Sequence, residues 1–239
     1  MSKYRICVDA GHGGKDSGAV GNGLLEKNLN LIVSLKLSEI LNKDDRFEAI
    51  LTRSTDVFVE LSERARIANN FRAHLFVSVH FNAYNQKAFG VEVLDYNGTG
   101  LGRVVGQAFV DILEKEHGAF DRGIRATHSA FAVIRETKCP SIITESAFID
   151  NPLDIQKFDE PHELAILAYD HYRAICAGFG VQAKSELHPN YKAPEPAYDH
   201  AKALSQAAAQ KLGLSDPAYW EERIRKDQYI QWLFEKIVK

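Results

Sequence analysis

The chain has 239 residues, of which 45% are hydrophobic and 26% are charged. This length allows one well-buried domain with a smaller one beside it but excludes two large domains, and the composition excludes an intrinsically disordered chain. Because the formal net charge is only −3, nothing attracts the chain as a whole to nucleic acid or to an anionic membrane, and we predict neither as a partner.

The first 180 residues alternate short β-rich runs with amphipathic helical patterns, which is typical of an α/β fold with a mostly parallel sheet flanked by helices. Near-continuous apolar character predicts that Leu75 to Phe81 is a central strand, covered on both faces. In chain order, the predicted elements are a strand Tyr4 to Asp9, a helix Glu26 to Leu41, a strand Phe47 to Leu51, a helix Leu61 to Phe71, strands Leu75 to Phe81 and Val91 to Leu94, a helix Leu101 to His117, strands Phe131 to Ile134 and Ser141 to Thr144, and a helix His162 to Ala177.

The composition changes after Gly180, where a stretch with three prolines, Pro189, Pro194 and Pro196, lacks apolar periodicity. This pattern predicts three parts: a main domain over 1–180, a linker over 181–197 and a small all-helical domain over 198–239.

Three polar residues with catalytic chemistry follow predicted strands. His12 stands in VDAGHGG directly after the first strand, His80 ends the strand that begins at Leu75, and Glu145 follows the strand that begins at Ser141. Because ligands of open α/β sheets gather at the carboxyl ends of the strands, we expect these side chains to converge.

Glu26 begins the first predicted helix, where an acid is also favoured simply by the helix dipole. Together with His12 and His80, however, Glu26 completes a set of two imidazoles and one carboxylate. This is a ligand set of catalytic zinc with one position left open for water. Glu145 then remains free to take a proton from that water and to pass it to a leaving amine.

Five separated motifs resemble the zinc-dependent N-acetylmuramoyl-L-alanine amidase family, over about residues 4 to 178 and in the family's order. They are VDAGHGGKDSGA, LLEKNLN, LTRSTD, SVHFNA and CPSIITESAFIDN. The resemblance implies a mostly parallel six-stranded sheet, one Zn²⁺, and cleavage between the lactyl group of N-acetylmuramic acid and L-alanine in peptidoglycan. By the same resemblance, His12, Glu26 and His80 correspond to the metal ligands and Glu145 to the catalytic glutamate.

Other polar residues of these motifs have two interpretations each. Asn82 either orients the metal site or binds substrate, or it stabilises the end of its strand. Arg125 and His128 either meet carboxylates of the stem peptide or lie in a solvated loop. For Arg53 and Asp56, we favour a structural ion pair over a role in the site.

Two rival functions remain open. A zinc peptidase or deacetylase uses the same metal chemistry on another amide, and only the family resemblance argues against it. A cell-wall binding module with a structural metal belongs to a different class of protein, and Glu145 argues against it because a structural zinc needs no spare base.

The chain starts without a basic-then-apolar leader and contains no apolar run long enough to span a membrane. We therefore predict synthesis in the host cytoplasm without a signal peptide, no membrane insertion, and action on the cell wall after release. This favours a bacteriophage endolysin over a mother-cell lytic amidase of a spore former. The oligomeric state stays open.

Aromatic residues are frequent in the predicted small domain. Because a hydrolase of an insoluble polymer gains from a second attachment point, we favour a cell-wall binding role over a helical mini-core or a dimer contact. These aromatics are Tyr198, Tyr219, Trp220, Tyr229, Trp232 and Phe234.

Overall fold

The computed structural model describes residues 3–127 and 131–190 together with Gln206. The chain divides into two units, Met1–Lys184 and Ser185–Lys239. Within the described part, the second unit contains a short 3₁₀ turn at Ser185–Leu187. Residues 191–197 of the predicted linker and, apart from Gln206, the predicted small domain lie outside the described residues, so the three-part division stays a prediction.

The first unit alternates strands and helices, as the sequence pattern predicted. The strands are β1 Tyr4–Ala10, β2 Val20–Gly21, β3 Leu24–Leu25, β4 Phe47–Leu51, β5 Leu75–Asn82, β6 Val91–Asp95, β7 Asp121–Ala126 and β8 Ser141–Phe148. The helices are α1 Glu26–Lys43, α2 Leu61–Phe71, α3 Gly100–His117, α4 Ala132–Glu136, α5 Pro152–Ile155 and α6 Pro161–Gly178.

Six of the strands form one sheet in the order β4-β1-β5-β8-β6-β7, and β2 and β3 form a separate hairpin. Neighbouring strands of the large sheet are parallel except for β6 and β8, which are antiparallel. The predicted mostly parallel six-stranded sheet is thus confirmed, as is the central place of β5. Because β6 and β7 run opposite to the other strands, their amino ends lie beside the carboxyl ends of β1, β5 and β8.

Helices cover both faces of the sheet, which explains why its inner strands are almost wholly apolar. On one face, α6 packs between α1 and α3, and on the other face α2 packs against α4. The α2 and α4 side contains a buried cluster in which Ala68 and Ile134 from the helices meet Cys7, Phe76 and Ile143 from the strands.

Two elements differ from the sequence prediction. The predicted strand Phe131 to Ile134 is wrong, because the chain forms the helix α4 there and buries Val133 and Ile134 against the sheet. A short apolar run fits either a strand or a helix, and packing decides between them. The strand β7 was missed because it is a mostly exposed edge strand whose charged residues hide any apolar alternation.

Within the part of the chain that the structure describes, no helix combines the length and the apolar character needed to cross a lipid bilayer.

A buried histidine on α6 links the stability of this fold to pH. Burial lowers the pKa of His171 to about 4, while its Nδ1 bonds to the Leu167 carbonyl oxygen at 2.7 Å and its Nε2 lies 2.9 Å from Thr144 Oγ1. Since the pKa in the unfolded chain is about 6.5, the unfolded state takes up the proton first as the pH falls. The stability that neutral His171 contributes is therefore complete above pH 6.5 and is lost between about pH 6.5 and 4.

We expect the free energy of unfolding of the native sequence to fall by about 3 kcal/mol more than that of His171→Gln between pH 6.5 and 4. Urea unfolding at a series of pH values measures both curves. Parallel curves for the two proteins would contradict this origin of the acid sensitivity.

Candidate active site

The loop after β1 carries the first residue of the site. Gly11 N donates to the Val79 carbonyl oxygen at 3.2 Å, which ties the end of β1 to β5. His12 follows with a φ of 59°, an uncommon value for a residue with a side chain. Arg64 Nη2 donates to the His12 carbonyl oxygen at 2.7 Å, and Arg53 Nη2 donates to that of Gly11 at 2.9 Å. Two arginines therefore fix the loop that presents His12.

A buried ion pair holds Arg64 in place. Its Nη1 lies 2.8 Å from Asp9 Oδ1, and both side chains are 2% exposed. Asp9 also accepts hydrogen bonds of 2.5 Å from Thr52 Oγ1 and from Ser78 Oγ. Burial alone raises the pKa of Asp9, but the charge of Arg64 and these hydrogen bonds outweigh it and lower the pKa. Arg64 was not predicted as a site residue, although a charged residue on the apolar face of α2 was a signal in the sequence.

His12, Glu26 and His80 come together at this edge of the sheet. Each offers one ligand atom, and the three atoms lie within 4.8 Å of one another. Glu26 Oε2 is 3.1 Å from His12 Nε2, and Glu26 Oε1 is 2.8 Å from His80 Nδ1. His12 and His80, which were expected to converge with Glu145, thus meet around Glu26, and this group of three can hold a metal ion.

The carboxylate of Glu26 is oriented by its surroundings. Ala19 N donates to Oε2 at 2.8 Å and Phe81 N donates to Oε1 at 3.2 Å. Burial by itself raises the pKa of Glu26, but hydrogen bonds from His12 and His80 hold the pKa well below its usual range. Burial lowers the pKa of His80, and the hydrogen bond and charge of Glu26 outweigh that effect and raise it to about 9.

Asp16 orients the ring of His12. Its Oδ2 lies 2.8 Å from His12 Nδ1, which leaves His12 Nε2 directed at Glu26. A carboxylate on the outer ring nitrogen fixes the tautomer and orientation of a histidine that binds metal through the other nitrogen.

Two glycines leave space for these rings. A Cβ atom at Gly11 would lie 2.3 Å from His80 Nε2, and one at Gly18 would lie 2.4 Å from Glu26 Oε2. Gly18 also has a φ of +63°, which residues with side chains rarely adopt. The glycines of this loop thus allow the backbone to approach the three side chains closely.

Glu145 lies within β8, which runs four residues beyond the predicted end of that strand. It pairs with His80 of β5 on one side and with Glu92 of β6 on the other. Among the described residues, its buried Oε2 has no hydrogen-bond partner. Burial raises the pKa of Glu145 to about 7, with the negative charges of Glu26 and Glu92 adding to the effect and the positive charge of His80 opposing it.

The structure corrects the predicted ion pair of Arg53 with Asp56. Arg53 donates to backbone carbonyl oxygens, among them that of Ala10 at 2.9 Å, and Asp56 instead accepts from Lys27 Nζ and Gly14 N, both at 2.7 Å. The carbonyl oxygens at the turn after β1 compete successfully for the buried guanidinium because they need hydrogen-bond donors.

Three further residues were predicted near the substrate. Asn82 Oδ1 accepts from Ala83 N at 2.8 Å, a contact that stabilises the end of β5. Arg125 lies on the edge strand β7 and donates from Nη1 to Glu92 Oε1 at 2.8 Å. His128 lies outside the described residues. Contact of these three residues with substrate stays a prediction.

An α/β sheet with two histidines and a glutamate gathered at its carboxyl edge, beside a half-buried carboxylate of raised pKa, is the arrangement of a metal-dependent hydrolase. A family model described as N-acetylmuramoyl-L-alanine amidase matches residues 6–177. The chain therefore belongs to the N-acetylmuramoyl-L-alanine amidase family, and the resemblance inferred from the five motifs is confirmed.

Individual relatives agree with this assignment. The endolysin of Bacillus phage SPP1 is 38% identical over 191 residues, which are 77% of this chain and 69% of that protein. The sporulation-specific N-acetylmuramoyl-L-alanine amidase of Bacillus subtilis (strain 168) is 34% identical over 184 residues, 76% of this chain and 70% of that protein. The catalytic domain of CwlV, an N-acetylmuramoyl-L-alanine amidase from Bacillus (Paenibacillus) polymyxa var. colistinus, superposes with a TM-score of 0.68 at 33% identity, covering 76% of this chain and 100% of that one.

Proposed function

We propose that this amidase hydrolyses the bond between the lactyl carbonyl of N-acetylmuramic acid and L-alanine in peptidoglycan, with His12, Glu26 and His80 as metal ligands and Glu145 as the proton-transfer group. The observation that carries the proposal is the meeting of the three possible ligands next to the strand position of Glu145. Membership of the amidase family supports the choice of bond.

The donor set favours one zinc ion. Two imidazole nitrogens and one carboxylate oxygen suit zinc, and three protein ligands are typical of catalytic rather than structural zinc sites. When bound, zinc supplies a Lewis acid for the amide carbonyl and makes water nucleophilic near neutral pH. Asp16 supports this use of His12 because it occupies the ring nitrogen that faces away from Glu26.

Glu145 has the position and the environment of a general base and acid. It stands directly across from His80 in the sheet, and its Oε2 is not engaged by another described residue. With a pKa near 7, the carboxylate can accept a proton from attacking water and deliver it to the nitrogen of the leaving alanine.

The relatives favour two biological settings, and we propose the first. The match to a phage endolysin supports lysis of a bacterial host from within, whereas the match to a sporulation-specific amidase supports a role in spore formation. In the first setting, the enzyme is made in the host cytoplasm and reaches the cell wall after another protein opens the membrane.

Digestion of purified peptidoglycan tests the reaction. We expect new L-alanine amino termini without new reducing sugar ends, because an amidase cuts between sugar and peptide and leaves the glycan intact. Dinitrophenylation quantifies the termini, and a reducing-sugar assay provides the internal control. New amino termini of another amino acid would indicate a zinc peptidase instead of an amidase. Failure to cleave any wall type would favour a binding module.

A further inference from the structure

Four side chains form a row across the sheet from β5 to β7. His80 pairs with Glu145, and Glu145 pairs with Glu92. Arg125 pairs with Leu94, which is two residues from Glu92 on the same strand. Since paired positions, and positions two apart on one strand, share a face of a sheet, His80, Glu145, Glu92 and Arg125 all project from the same face.

A bulge in β7 puts Arg125 on this face. Val91 pairs with Asp121 but Val93 pairs with Ile124, so β7 contains one extra residue between the two pairs. Gly123 lies in this interval with a φ of +86°. In an unbroken register, Arg125 would pair with Asp95 and point to the opposite face. The bulge therefore redirects the arginine toward the active-site row.

Glu92 anchors Arg125 without covering it. Arg125 Nη1 lies 2.8 Å from Glu92 Oε1, while the side chain of Arg125 is 68% exposed and that of Glu92 is 6% exposed. One donor of the guanidinium is thus used, and the exposed part of the group still presents further donors to solvent. Because a partly exposed ion pair contributes little to stability, its main effect is to hold a cation in one orientation beside Glu145.

The spacing of this cation from Glu145 fits a peptide. Adjacent strands lie about 4.8 Å apart, which separates Glu145 from Glu92, and the hydrogen bond from Arg125 to Glu92 adds 2.8 Å. The guanidinium therefore lies roughly 8 Å from the Glu145 carboxylate. An extended peptide covers about 3.3 to 3.6 Å per residue. A group bound at Arg125 is therefore about two residues from a bond that is cleaved next to Glu145.

We propose that Arg125, held by Glu92, binds a carboxylate on the second residue of the stem peptide, on the side of the leaving alanine. This inference rests on the proposed function and adds the substrate feature that the enzyme selects. An arginine is suited to the task because its planar fork binds a carboxylate through two parallel hydrogen bonds. The enzyme then prefers walls whose second stem residue carries a free carboxylate over walls in which it is amidated.

Two synthetic N-acetylmuramoyl dipeptides test the inference, one with free carboxylates on its second residue and one with carboxamides. We expect the native enzyme to cleave the substrate with free carboxylates with a kcat/KM at least about tenfold higher than the substrate with carboxamides, mainly through a lower KM. This factor corresponds to the free energy of one charge-assisted hydrogen bond. Arg125→Gln should lose this preference, and Arg125→Lys should keep part of it because the charge remains. Arg103→Gln is the control variant, because it removes an exposed arginine on α3. It should keep the full preference for the substrate with free carboxylates.

The possible results separate this inference from the proposed function. Equal cleavage of both substrates by the native enzyme, or an unchanged preference in Arg125→Gln, would overturn the role of Arg125 and leave the amidase intact. Failure to release an alanine amino terminus from either substrate or from whole walls would overturn both. Melting temperatures of the variants, compared with that of Arg103→Gln, confirm that a lost preference does not come from unfolding.

Discussion

Replacement of Glu145 by glutamine is expected to slow amide hydrolysis by about 10²- to 10⁴-fold, the range that general acid–base catalysis contributes. The amide has nearly the same shape as the carboxyl group but can neither accept a proton from water nor deliver one to the leaving amine. Glu145 is outside the group that can hold the metal, so the zinc content should stay the same. Release of alanine amino termini and elemental analysis of the purified variant measure the two quantities.

Glu114→Gln provides the matched control, because Glu114 is an exposed glutamate on α3. It should retain native activity. If Glu145→Gln loses activity and zinc together, Glu145 acts as a metal ligand instead of a proton-transfer group. If it keeps both, another residue transfers the proton.

Replacement of His80 by alanine is expected to reduce bound zinc from about one ion per chain to near zero, because only two of the three proposed protein ligands remain. Activity should be lost with it. A chelator should likewise inactivate the native enzyme, and added Zn²⁺ should restore that activity but not the activity of His80→Ala. Elemental analysis after dialysis and the alanine-release assay give the two readouts.

His162→Ala is the control for this experiment, since His162 lies at the start of α6 and is not part of the metal group. It should bind zinc and cleave peptidoglycan as the native enzyme does. Undiminished zinc in His80→Ala would show that the ion is held elsewhere, and activity that resists chelation would exclude the proposed metal chemistry.

The sequence predicted the group that can hold a metal ion, since each proposed ligand is linked to a local signal. His12 follows a strand and stands between glycines, His80 ends an apolar strand, and Glu26 begins an amphipathic helix. In a parallel sheet the carboxyl ends of the strands meet at one edge, so the convergence of these residues follows from their places in the elements. The identity of the family followed from the order of five motifs.

Residues that act through long-range contacts were not predictable in the same way. Arg64 of α2 fixes the carbonyl oxygen of His12, a residue 52 positions earlier in the chain. Arg53 was expected to pair with its neighbour Asp56, and it bonds to the β1 loop instead. No local sequence pattern indicates which acceptor a buried guanidinium bonds to, because the choice of acceptor depends on which backbone carbonyl groups the fold leaves without partners.

By itself, the sequence determined the α/β class, most of the helices and strands, the candidate metal-binding residues and the family, since these depend on periodicity, on turn residues and on motifs within short stretches of chain. The tertiary structure alone decided that the segment after Phe131 is a helix, that β6 and β7 run against the other strands, and that a bulge turns Arg125 toward Glu92. The physical reason is that a short apolar run or an exposed edge strand is compatible with several conformations. Only burial against distant residues, and the hydrogen bonds that burial demands, selects among them.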